Sequence, residues 1–263
     1  MQSDSPQTMA RGIYDALRLK TLPVAVKFTT IDDIFPDKTR FPATALKKRI
    51  TICQAVSMVR LYGWTVGLTR NDLICVPAML AFGFTAVPDP VATLAGLFCE
   101  VAFVQDAAQG EAELKTMYRL DNAENRAIVM APWTKALFEP DCVLFYANPA
   151  QIMRMVQAVV YAEGVRIVGH FGGKVECTEY LLAPHLTGRP RIAMPGMGDR
   201  IFSMTQDDEM VLSLPAASLP SLYHGLENAG KSIGARYPVT SYQNFQPEFP
   251  KPYQKLGKEL ELF

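Results

Sequence analysis

The sequence predicts an α/β (α+β) chain. It reads as two diverged copies of one strand–helix unit, packed as a pseudo-twofold domain and followed by an extended Pro-rich C-terminal tail. Three observations carry this. Short apolar strand-like runs alternate with amphipathic helical stretches along most of the 263 residues. Ile74-Cys75-Val76-Pro77-Ala78-Met79 resembles Ile192-Ala193-Met194-Pro195-Gly196-Met197. From about Gly230 onward the chain turns polar, with Pro238, Pro247, Pro250 and Pro252.

In chain order, Pro6 to Lys20 has the spacing of an amphipathic helix, with Met9, Ile13 and Leu17 on one side. Leu22 to Thr29 reads as a strand, and the Pro-containing stretch Asp32 to Thr44 as a loop. Lys48 to Tyr62 reads as a helix stopped by Gly63, Thr65 to Leu68 as a short strand, and Asn71-Asp72 as a turn. Val91 to Val104 and Gly110 to Arg119 are expected helices. Ala127 to Met130 and Cys142 to Ala147 are expected strands. Asn148-Pro149 has the pattern of a helix cap with Pro at the first helical position. Gly172-Gly173 leads into an expected helix from about Lys174 to Ala183. Strands over Arg191–Met194 and Glu209–Leu214 and a helix over Ser218–Asn228 complete the reading.

The repeat divides the chain into an N-terminal helix (1–20), a first copy (21–140) with a helical insertion at about 86–125, a second copy (141–229) and the tail (230–263). A cysteine precedes each shared motif, Cys53 in one copy and Cys177 in the other. The Pro77 and Pro195 motifs are expected at equivalent positions. The tail is expected to carry no long helix and to offer Tyr242, Phe245, Phe249 and Tyr253 to the body or to a second copy in a homo-oligomer.

Composition narrows the function. Basic and acidic residues balance at 26 each, which excludes a global electrostatic pull toward nucleic acid or anionic membrane. Apolar runs fall short of a bilayer span and the first residues lack a hydrophobic leader core, so a cytoplasmic location is expected. Five cysteines, an odd number without a secretion signal, argue against a disulfide framework and for free thiols, redox groups or metal ligands. Cys99 and Cys142, inside apolar segments, are expected in the core, as are Met153, Met155, Met194 and Met197.

Cys53, Cys75 and Cys177 form the leading constellation. Three thiolates suit an iron–sulfur cluster, a zinc site or thiol redox chemistry. None has the tight Cys-x-x-Cys spacing that would choose among these. Cys177 is expected in the first turn of a helix, where the helix dipole would make it the most easily ionised of the three. Gly169, His170, Gly172 and Gly173 precede it and form a candidate ligand loop whose N–H groups suit an anion. Neither the P-loop nor the dinucleotide fingerprint is present. The three histidines, His170, His185 and His224, form no zinc-hydrolase pair.

The same segments resemble the uncharacterised DUF169 family. The likeness runs through Pro23-Val24-Ala25-Val26-Lys27-Phe28, Cys53, and Cys75-Val76-Pro77-Ala78. It continues through Phe145-Tyr146-Ala147-Asn148-Pro149-Ala150-Gln151 and Phe171-Gly172-Gly173 up to Cys177. Where the family typically reads Gly-Cys-Pro-Gly, this chain has Ile74 before Cys75 and Val76 between Cys75 and Pro77. The resemblance implies a shared fold and a shared cysteine set, and brings no activity with it. The function expected from the residues is a cysteine-based redox or metal-cluster protein with its site at the seam between the copies, served by a redox partner. The alternatives are a binding protein for a small molecule or anion without redox chemistry, or a structural partner subunit.

Overall fold

A computed structural model describes residues 5–239 and 249–262. The strands are β1 (Val24–Thr30), β2 (Val66–Leu68), β3 (Arg126–Pro132), β4 (Cys142–Ala147), β5 (Arg191–Ala193) and β6 (Met210–Pro215). They form one six-stranded sheet in the order β2-β3-β1-β4-β6-β5, every neighbouring pair antiparallel. Read inward from either edge, the order is the second, third and first strand of its own half of the chain. The two halves meet where β1 pairs β4 through Val24–Leu144, Ala25–Val143 and Val26–Cys142.

The helices are α1 (Pro6–Leu17), α2 (Pro42–Ala45), α3 (Ile52–Tyr62), α4 (Val76–Ala81), α5 (Pro90–Glu100), α6 (Ala107–Leu114), α7 (Pro149–Glu163), α8 (Ala183–Thr187), α9 (Met197–Phe202), α10 (Leu219–Asn228) and α11 (Lys251–Glu259). Strand alternation sorts side chains onto two faces. Val24, Val26, Cys142, Leu144 and Tyr146 join a core with Ile52, Val56 and Val59 of α3, Ala78 of α4, and Tyr180. Ala25, Val143, Phe145 and Leu212 join a second core with Ile13 of α1, Met155 and Val159 of α7, and Leu222 of α10. Helices thus cover both faces. Among the described residues no helix is long and apolar enough to cross a membrane.

The connections repeat a pattern. α3 ends at Gly63, in the left-handed conformation (φ 70°), and the edge strand β2 opens at Val66. α8 ends at Gly188, also left-handed (φ 63°), and the other edge strand opens at Arg191. A six-residue helix follows each edge strand, α4 after β2 and α9 after β5.

Three expectations need correction. The two Pro motifs are not in register: Pro77 lies in the first turn of α4, whereas Pro195 precedes Gly196, the N-cap of α9. The cause is local, since a 3₁₀ turn at Arg70–Asp72 lengthens the first connection and leaves Ile74 outside any strand, while Ile192 is paired in β5. The helix expected from Lys174 begins later, as a π-helical turn at Thr178–Leu182 running into α8. The described part of the tail carries the short α11, of nine residues, which leaves the expectation of no long helix standing; it tolerates Pro252 because the first helical turn has no N–H partner to lose. Tyr242 and Phe245 lie outside the described residues. Met153, Met194 and Met197 are 42–50% exposed rather than packed, and only Met155 of that group is buried.

Candidate functional site

The three cysteines stand on three separate segments, each within electrostatic reach of another. Thr51 caps α3 through a reciprocal box: its hydroxyl accepts from Gln54 N–H (3.1 Å), and Gln54 Oε1 accepts from Thr51 N–H (2.9 Å). This holds Cys53 in the first turn, its sulfur 2.9 Å from Thr51 Oγ1. The first turn of α9 packs against it, so that a Cβ on Gly198 would lie 3.9 Å from Cys53 Sγ. Cys75 is the N-cap of α4. Cys177 precedes the π-turn and is buried in the same core. Single-turn π-bulges occur frequently at functional sites.

All three thiols resist ionisation. Burial pushes Cys53 up to about 12, with the nearby Asp199 adding to it. Burial and Asp199 raise Cys75 as well. Cys177 is held well above the ordinary thiol range by burial, then by Cys75, Asp199 and Cys53. Each sulfur therefore lies within electrostatic reach of another, and Asp199 reaches all three. The expectation that Cys177 ionises most easily is corrected: the protein around it excludes water and its neighbours are acidic. Cys142 is fully buried on β4, as expected, and Cys99 is only partly buried on α5.

A buried polar network adjoins the thiols. Asp199, 3% exposed, accepts from Tyr180 Oη (2.8 Å), Tyr146 Oη (3.4 Å) and Gly196 N–H (3.1 Å). Burial raises its pKa, against the pull of these donors. The Arg60 guanidinium lies over the Tyr146 ring, 4.2 Å from its centre, and binds both carboxylate oxygens of Glu209 (2.7 and 3.1 Å). The sequence reading missed Asp199, Tyr146 and Tyr180. The one available signal was the acidic residue three positions after Gly196, a cap pattern that marks a helix start rather than chemistry.

The glycine loop lies beside this network. Gly172 and Gly173 do present adjacent N–H groups, but both donate to Glu176 Oε1 (2.6 and 2.5 Å). The chain's own carboxylate occupies the position an anion would take. Burial raises Glu176 to about 7, although the two N–H groups oppose the rise. Gly169 is where the chain passes β5: a Cβ there would lie 2.1 Å from Ile192 O. The half-exposed His170 ring stacks on Tyr118, and its backbone N–H donates to Glu179 Oε1 (3.2 Å). A cleft of about 100 Å³ runs past His170, Gly172, Lys174, Glu113, Glu176 and Glu179. With Lys174 already paired to Glu113 (2.7 Å), carboxylates dominate the lining, which disfavours an anionic ligand.

Among the described residues, no three His, Cys, Asp or Glu side chains stand at the spacing of donors around one metal ion. Around the thiols the surface is apolar. Ile74, Val76, Met197, Ile201 and Phe202 are each at least half exposed.

Comparison with known proteins gives a family and one relative. The DUF169 family, described as "Uncharacterised ArCR, COG2043", matches residues 12–225. A protein of Methanocaldococcus jannaschii named "Uncharacterized protein MJ0308" is 25% identical over 223 residues, covering 83% of this chain and 92% of its own. No solved structure matches.

Proposed function

This chain belongs to the DUF169 family, and from that premise we propose that it is a metal-cluster protein whose Cys53, Cys75 and Cys177 hold an iron–sulfur cluster at the seam between two halves. The halves are read as diverged copies of one unit. The palindromic strand order supports this, as do the matching passages from Gly63 to α4 and from Gly188 to α9. In that reading α3, with Cys53 at its start, corresponds to the π-turn and α8, with Cys177 at theirs. The first half contributes Cys53 and Cys75, and the second contributes Cys177.

The observation that carries the proposal is the gathering of three thiols from three segments in one buried, acidic place. Such groups cost free energy to ionise unless a cation neutralises them. A bare thiol redox pair fits less well, because attack on a disulfide needs a thiolate and burial withholds it here. A single zinc ion would need sulfurs roughly 4 Å apart, from a Zn–S bond of about 2.3 Å in tetrahedral geometry. Among the described residues no three such donors are grouped to hold one metal ion, which disfavours a lone zinc; a cluster is larger than a single ion. Anion binding at the glycine loop is the weaker reading, since Glu176 fills it.

The test is anaerobic purification and reconstitution with iron and sulfide, followed by iron and sulfide analysis and visible absorption. A brown protein with iron and sulfide in equal amounts is expected. A colourless chain that takes up neither, or takes up zinc alone, would overturn the proposal.

A further inference from the structure

We infer that two copies of this chain pair across the exposed apolar surface of Ile74, Val76 and α9, each copy's basic segment facing the other's acidic helices. The inference stands apart from whatever the thiols hold. It begins with how charge is distributed. The chain is neutral overall, with 26 basic and 26 acidic residues. Yet from Lys38 to Asn71 it has no Asp or Glu, and from Asp72 to Leu114 it has no Lys or Arg.

The fold sets these two runs at the two ends of one apolar surface. Ile50 N–H donates to Asp72 O (2.8 Å), Ile74 N–H donates to Ile50 O (3.0 Å), and Arg49 Nε donates to Asn71 O (3.2 Å). These bonds hold the exposed Lys47, Lys48, Arg49 and Arg70 beside Ile74. Val76 opens α4, and Leu80 in its last turn packs with Leu94 and Phe98 of α5 and Leu114 of α6. Thus α4 runs from the basic segment to a helix pair whose exposed charges are Asp89, Glu100, Asp106 and Glu111. The Cβ position of Gly198 lies 3.9 Å from the sulfur of Cys53, in the turn that follows Ile50, so α9 adjoins the same region. It adds Met197, Ile201 and Phe202, each at least half exposed. A gathering of large exposed apolar side chains marks an interaction surface rather than ordinary scatter.

Charge identifies the occupant. Among the described residues none of these four cations and four anions forms an ion pair within the chain. A two-fold axis through the apolar centre would bring each copy's cations onto the other's anions and lay apolar side chains on apolar side chains. That gives the apolar middle and polar rim of a protein interface. An anionic membrane would attract the basic segment but repel the acidic helices beside it, whereas a second copy satisfies both.

The experiment is sedimentation equilibrium of the full-length chain, with circular dichroism to verify that each variant is folded. Wild type is expected to form a dimer at micromolar concentration, weakened by added salt. Lys48→Glu/Arg70→Glu and Glu100→Lys/Glu111→Lys should each weaken self-association about tenfold or more, because like charges then meet across the axis. An equimolar mixture of these two variants should restore a dimer containing one copy of each, since the reversed charges match again. Ile201→Asp, at the apolar centre, should weaken the dimer by a similar factor, and replaces a charge variant that does not fold. A wild-type chain that stays monomeric, including one that instead sediments with vesicles of anionic phospholipid, would overturn the inference. So would a dimer that none of the variants weakens, or a mixture of the two folded charge variants that stays monomeric.

Discussion

Arg60 and Glu209, from opposite halves of the chain, form a two-pronged ion pair that is almost wholly buried, with side chains 1% and 6% exposed. Removing one partner leaves a charge in a dry interior. Arg60→Met or Glu209→Gln should each cost about 3–5 kcal/mol. The double variant Arg60→Met/Glu209→Met should cost much less than the sum of its parts. Urea unfolding of the four proteins measures this, and strict additivity would contradict it.

The cysteines should divide by location. Cys53→Ser, Cys75→Ser and Cys177→Ser should each lower reconstituted iron severalfold, whereas Cys99→Ser should leave it unchanged. Cys142→Ser should keep its iron but lose stability, by about 1–3 kcal/mol, because a hydroxyl replaces a fully buried thiol. Iron analysis beside thermal unfolding separates the two effects.

Two carboxylates should respond to pH with opposite signs in the metal-free chain. Glu176 has its folded pKa raised from 4.5 to about 7 by burial. Its contribution is fully present below pH 4.5 and lost as pH rises toward 7, because the folded state holds the proton longer. Asp33, exposed, is lowered by the hydroxyl of Thr29 and the amide and hydroxyl of Thr30. Its contribution is present above pH 3.8 and lost as pH falls through the lower folded value. Stability against pH for Glu176→Gln and Asp33→Asn, each compared with wild type, reads these terms. Equal pH profiles for wild type and Glu176→Gln would refute the first.

Glycines offer a contrast in packing. A Cβ on Gly225 of α10 would lie 2.1 Å from Ala158 O of α7, so Gly225→Ala must push two helices apart. A cost of about 1–3 kcal/mol or more is expected. Gly96, exposed within α5, has open space around its Cβ position. Gly96→Ala should therefore stabilise by about 0.5–1 kcal/mol. Thermal unfolding of the two variants checks both signs.

Much of the fold was legible because its signals are local. The Asn148-Pro149 start of α7, the Gly63 stop of α3 and the short apolar runs of β1 and β4 each depend on neighbours in the chain. The antiparallel ladder order was not legible, since it depends on contacts such as Val24 with Leu144. At the site, cysteine chemistry singled out Cys53, Cys75 and Cys177. Asp199 stayed hidden because its meaning comes from Tyr146 and Tyr180, 53 and 19 residues away. The glycine loop was legible as a set of N–H donors, but that Glu176 turns back to occupy them depends on its side-chain conformation.

The ladder between β1 and β4 also has a mechanical consequence. It holds three residue pairs, against seven between β1 and β3 and six between β4 and β6. The edge strands β2 and β5 are held by equally short ladders of three pairs, so a load across the sheet can part it in its middle, between the two halves, as readily as at its edges. Resistance to that load falls to the side chains that bridge the halves above the sheet, Arg60 with Glu209 among them. Anything bound by thiols from both sides would act there as a rivet.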